Sequence, residues 1–140
     1  MKIELKRLNK AVHFEATNAD GNSIIMDGSP SIGGEGLGVR PMQTLMMGLA
    51  GCASIDVVVI LKKMRQQLDD LKVTVDAQTA KENDVTVFKN IVLNFSLWGD
   101  IKEEKAKKAI EMSIDTYCSV GKVIEKSAPI TYTLSLNPES

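Results

Sequence analysis

An α+β fold with the element order β-β-β-α-β-β-α-β and mostly antiparallel sheet is what the sequence predicts, and three observations carry it. Apolar residues alternate with polar ones in short stretches before residue 27. A proline-headed apolar run follows, long enough for a central helix. Alternation then returns over residues 73–97 and 130–136, on either side of a second stretch with helical spacing. Strands that come in groups, not one for one with helices, favour antiparallel pairing over a parallel βαβ sheet.

The elements follow in order. Ile3 and Leu5, then Val12, Phe14 and Ala16, alternate at period two, the pattern of strands with one face on a core. Asn18-Ala19-Asp20-Gly21-Asn22 supplies residues that tolerate tight-turn backbone angles, so Ser23 to Met26 returns as a third strand. Gly28-Ser29-Pro30 and Gly33-Gly34-Glu35-Gly36-Leu37-Gly38 are too rich in glycine for helix or strand and read as a loop, either a connector or a lid. Pro41 fits the first turn of a helix, where its missing N–H is no loss, and the run from Met42 to Leu68 contains no further proline. This long helix is apolar in its middle and cationic at its end, Lys62 to Gln67, as suits a C-terminus reaching solvent. Val73, Val75 and Ala77, then Val85 to Leu97, form a second hairpin around a polar turn at Lys81 to Asp84. Lys102 to Lys126 reads as one helix through Ala106, Ala109, Ile110, Ile114, Tyr117 and Cys118, and Ile130 to Leu136 closes the chain as a strand.

The 140 residues make a single domain, 1–140. With 17 basic against 18 acidic residues, no summed field would hold a nucleic acid or an anionic membrane. The N-terminus lacks the continuous apolar segment of a signal peptide, and the richest apolar run, Leu45 to Leu61, is interrupted by Ser54 and Asp56. A soluble, cytoplasmic protein is the expectation. A lone histidine, His13, and the lack of a Cys-x-x-Cys pair speak against a metal site.

In a reducing compartment Cys52 and Cys118, 66 positions apart, are free thiols before they are a structural disulfide. Each alone reads as well as a small buried hydrophobe. As a pair they suit peroxide reduction, in which an attacking thiolate becomes a sulfenic acid and a second thiol condenses with it. Cys52 lies among Gly48, Ala50, Gly51 and Ala53, small neighbours that let a substrate approach the sulfur, and is the candidate nucleophile. Asp56, one helical turn on, shares its face and needs a hydrogen-bond partner, so a structural bond is its expected role. The guanidinium groups are Arg7, Arg40 and Arg65, of which Arg40 and Arg65 are 12 and 13 positions from Cys52.

Pro41-Met42-Gln43, Gly51-Cys52-Ala53-Ser54-Ile55-Asp56-Val57-Val58 and Tyr117-Cys118-Ser119-Val120, with Ile25-Met26-Asp27-Gly28 and Glu125-Lys126, resemble the OsmC/Ohr family over essentially the whole chain, closest to its YhfA-like branch. The resemblance implies an OsmC/Ohr-like α+β fold and an intertwined homodimer with sites at the subunit interface. It implies a cysteine-based reductase of organic hydroperoxides, with Cys52 peroxidatic, Cys118 resolving, an external dithiol as reductant, and no metal or organic cofactor. The family's active members carry a glutamate just after the helix-starting proline and an arginine on an early turn. This chain has Met42 and Gln43 at the first place and no arginine in Asn18 to Gly21 at the second, leaving Gln43 and Arg40 as possible supports beside Asp56. The competing expectation is a binding or redox-sensing module that holds a small apolar or electrophilic ligand without turnover.

Overall fold

A computed structural model describes residues 1–139. The chain divides into two compact units, Met1–Leu45 and Met46–Ser140.

The first unit is the expected meander. Strands β1 (Ile3–Arg7), β2 (Phe14–Asn18) and β3 (Ser23–Met26) pair antiparallel in that order. Asn18 shapes the turn between β2 and β3 by accepting the N–H groups of Asp20 and Asn22 on its side-chain oxygen, at 3.0 and 2.9 Å. The glycine loop that follows is tied down by Asp27, whose Oδ1 accepts the N–H of Gly28 (2.7 Å) and whose Oδ2 accepts those of Glu35 and Leu37 (both 3.0 Å). A side chain at Gly34 would place its Cβ 1.8 Å from the carbonyl oxygen of Gly28, so only glycine lets the loop fold onto itself there. The hydrogen bond from Leu37, reinforced by Glu35, Gly28 and the nearby His13, outweighs burial and holds the Asp27 carboxyl below the usual carboxylate range.

Helix α1 (Pro41–Lys63) begins in the first unit and continues in the second. Proline stands at its first position, and the Gln43 side-chain oxygen accepts the backbone N–H of Arg40 at 2.9 Å, the reciprocal half of a capping box. The helix does not run to Leu68 as the sequence suggests. Arg65 takes a left-handed conformation (φ 55°), its N–H reaches Lys62 and the next N–H, from Gln66, reaches Leu61, the bonding pattern that closes helices. Without the glycine or proline that usually marks such an end, the stop was not legible.

In the second unit β4 (Gln67–Glu82) and β5 (Val85–Asp100) form one long antiparallel hairpin, and β5 pairs in parallel with β6 (Ile130–Leu136). The connection from β5 to β6 runs through the second helical stretch. That stretch is not the continuous Lys102–Lys126 helix expected. It consists of α2 (Glu103–Met112), a single π-helical turn (Ser113–Tyr117) and α3 (Ser119–Ile124). The core is built at helical spacing from Leu49, Ala53, Val57 and Leu61 of α1, at period two from Ile91, Leu93, Phe95 and Leu97 of β5, and from Ala106, Ala109 and Ile110 of α2. Each large side chain so buried contributes about 1.5–3 kcal/mol relative to exposure. Helix α1 is long and apolar enough to cross a bilayer by length and composition, yet it supplies five side chains to the buried set.

Candidate functional site

Cys52 and Asp56 lie one turn apart on α1, and the π-helical turn brings Cys118 to them. The Cys118 N–H donates to the carbonyl of Ser113, five residues back, at 2.8 Å. This wide turn displaces Cys118 from the regular helical path, and its extended backbone (φ −68°, ψ 97°) ends the helix there. Its sulfur then caps α3, accepting the Gly121 N–H at 3.3 Å. The sulfurs of Cys52 and Cys118 and a carboxylate oxygen of Asp56 all lie within 4.8 Å of one another.

The three groups differ in access. Cys118 is buried, at 1% exposure, whereas Cys52 and Asp56 are half-buried. Burial pushes the Cys118 thiol up to about 11, its bonding to Cys52 and the Asp56 charge push the same way, and only the Gly121 N–H opposes them. At neutral pH Cys118 therefore keeps its proton.

Asp56 has the partner that its place in an apolar run demands. Ser113, fully buried, donates its hydroxyl to Asp56 Oδ2 at 3.0 Å and lies 3.4 Å from the carbonyl oxygen of Ala53. Sequence reasoning missed Ser113. The available signal was a serine on the same helical face as Ala106, Ala109 and Ile110, a core position where a hydroxyl needs an acceptor. Asp56 also lines a cleft of about 430 Å³ with Val59, Ile60, Lys63, Met64, Met112 and Tyr117. The cleft is mainly apolar with one cation, Lys63, in its wall, and of the three site residues it is Asp56 that lines it.

The other named residues have local duties. Gln43 spends its side-chain oxygen on the Arg40 N–H, and Arg40 is half-buried at the head of α1. Arg7 donates its guanidinium to the carbonyls of Ala11 (2.8 Å) and Lys10, fastening its own turn. Arg65 closes α1. His13, which no chemistry claimed in the sequence, has a buried Nε2 without a hydrogen-bond partner.

With the geometry in hand, known proteins supply context. The profile of the family "OsmC-like protein" matches residues 33–133. Protein YhfA of Escherichia coli K12 is 34% identical over 121 residues, which cover 86% of this chain and 87% of that protein. Among solved structures, an OsmC-like protein from Mycoplasma pneumoniae superposes with a TM-score of 0.80 at 18% identity, covering 96% of this chain and 95% of the other. An organic hydroperoxide resistance protein from Elizabethkingia anophelis superposes with a TM-score of 0.74 at 16% identity, covering 98% and 97% of the two chains. At such identities the two structures speak for a shared fold.

Proposed function

The chain belongs to the OsmC-like family, and from that premise we propose that it is a thiol-dependent reductase of organic hydroperoxides, with Cys52 as the attacking thiol and Cys118 as the resolving one. The observation that carries this reading is the meeting of the two sulfurs within 4.8 Å, from positions 66 residues apart, one half-buried and the other buried.

The Cys52 thiolate attacks the terminal oxygen of the peroxide. An S–O bond forms and the O–O bond breaks, leaving Cys52 as a sulfenic acid while the alkoxide takes up a proton and departs as an alcohol. Cys118 then displaces the hydroxyl, its thiol proton leaving with it as water, and a Cys52–Cys118 disulfide results. An external dithiol returns both cysteines to thiols. Val59, Ile60, Met64 and Met112 along the cleft suit the carbon chain of an organic peroxide better than hydrogen peroxide.

A homodimer in the cytoplasm belongs to the same proposal. Helix α1 leaves Met47, Ile55, Val58 and Val59 exposed, a row of apolar side chains that a second copy would cover. The test is consumption of cumene hydroperoxide and hydrogen peroxide by the purified protein with a dithiol present, with Cys52→Ser in parallel. Dithiol-dependent turnover that prefers the organic peroxide and vanishes in the variant is expected. Absence of turnover in the unmodified protein, with both thiols unreactive, would overturn the reading.

A further inference from the structure

We infer that Cys52, Cys118 and Asp56 together form a binding site for a thiophilic divalent cation of the zinc type. Thiolate sulfur and carboxylate oxygen are both donors that zinc takes, three protein ligands leave its fourth position to water, and here the three lie within 4.8 Å of one another. Around a tetrahedral ion with bonds of about 2.0–2.3 Å, ligand atoms stand roughly 3.5–3.8 Å apart. The three groups thus need to close by about 1.3 Å at most. The sequence shows no such site because its ligands come from two helical segments and not from one local motif.

Charge favours the ion. Each of the three groups becomes an anion on losing its proton, and among the described residues no ion pair involves Asp56. The Asp56 carboxylate lies beside both sulfurs. For a divalent cation it is a ligand. When the ion enters, both thiols release their protons to solvent, two S–metal bonds form, and the charge of the pair and the carboxylate is met at one point.

The surroundings supply what a metal site needs beyond its ligands. The Ser113 hydroxyl fixes the Asp56 carboxylate at 3.0 Å, and the Gly121 N–H bonds the Cys118 sulfur at 3.3 Å, so two of the three ligands have an orienting hydrogen bond. Asp56 also borders an open cleft on α1. A bound ion occupies the electron pairs with which Cys52 would attack, so the same site reacts with electrophiles when empty and is shielded when filled.

This inference stands apart from the peroxidase reading, and its test measures no turnover. The reduced full-length protein is titrated anaerobically with Co²⁺, and then Zn²⁺ is added as competitor. One Co²⁺ per chain is expected, with an intense near-ultraviolet thiolate-to-cobalt charge-transfer band that Zn²⁺ abolishes. The band should be lost in Cys52→Ser and in Asp56→Asn, and Ser113→Ala, which keeps all three ligands, should weaken binding by about tenfold. In the unmodified protein, Zn²⁺ should also protect Cys52 from alkylation, and a chelator should restore its reactivity. No charge-transfer band, a band that persists in Cys52→Ser, or alkylation of Cys52 at the same rate with and without Zn²⁺ would overturn the inference. Peroxide turnover without ion binding would sink only this inference, and ion binding without turnover would sink only the peroxidase reading.

Discussion

Replacing Ser113 by alanine removes the hydroxyl that bonds Asp56 beside the two thiols. The hydroxyl is fully buried and donates to Asp56 Oδ2 at 3.0 Å. A hydrogen bond to a charged acceptor is worth about 1.5–3 kcal/mol net, and relief from burying the hydroxyl returns part of that. A net loss of about 1–2 kcal/mol is expected. With a urea dependence of about 1–3 kcal/mol per molar, the midpoint of unfolding should fall by roughly 0.5–1 M. The assay is urea unfolding followed by circular dichroism at pH 7 and one fixed protein concentration, since association would otherwise shift the midpoint. The same substitution made in Asp56→Asn should cost less than about 0.5 kcal/mol, because the charged acceptor is gone. A Ser113→Ala midpoint within about 0.2 M of the unmodified protein, or an undiminished cost in Asp56→Asn, would refute the pairing as the reason these residues stand together.

Three further outcomes follow from the fold. Asp27 is held below the usual carboxylate range by the N–H groups of Leu37, Glu35 and Gly28, so its contribution is present above the unfolded value of about pH 4 and is lost as pH falls through the lower folded value. Asp27→Asn should therefore be less stable than the unmodified protein at neutral pH, the gap closing as the medium is made more acid, as checked by thermal melts between pH 7 and 2.5. Gly34→Ala puts a Cβ 1.8 Å from the Gly28 carbonyl oxygen and should cost at least about 3 kcal/mol, lowering the melting temperature by roughly 10 °C. Phe95→Ala empties the largest fully buried side chain of β5 and should cost about 3–5 kcal/mol in the same urea assay.

Much of this was legible in the sequence because it rests on periodicity. Ile91, Leu93, Phe95 and Leu97 repeat at period two and are the buried face of β5. Asp56, four residues after Cys52, does share its helix face and does have a hydrogen-bond partner. What escaped was set by single backbone angles and by contacts between distant segments. Arg65 enters a left-handed conformation that glycine would have announced. The break at Cys118 depends on a five-residue hydrogen bond to Ser113, whose hydroxyl is committed to another helix. No local spacing records either. Asp27 stands in a stretch that carries the family resemblance, but its work, gathering three N–H groups of the glycine loop, is visible only in the structure.

The most direct measurement is to treat the reduced protein with one equivalent of cumene hydroperoxide, quench with an alkylating agent, digest without reductant and map the peptides by mass spectrometry. Loss of both thiols and a linked peptide joining Cys52 to Cys118 is the expected result, since the two sulfurs lie within 4.8 Å. Two alkylated thiols after exposure, or a Cys52 oxidised to sulfinic acid with Cys118 still free, would contradict the claim that these cysteines work as a pair.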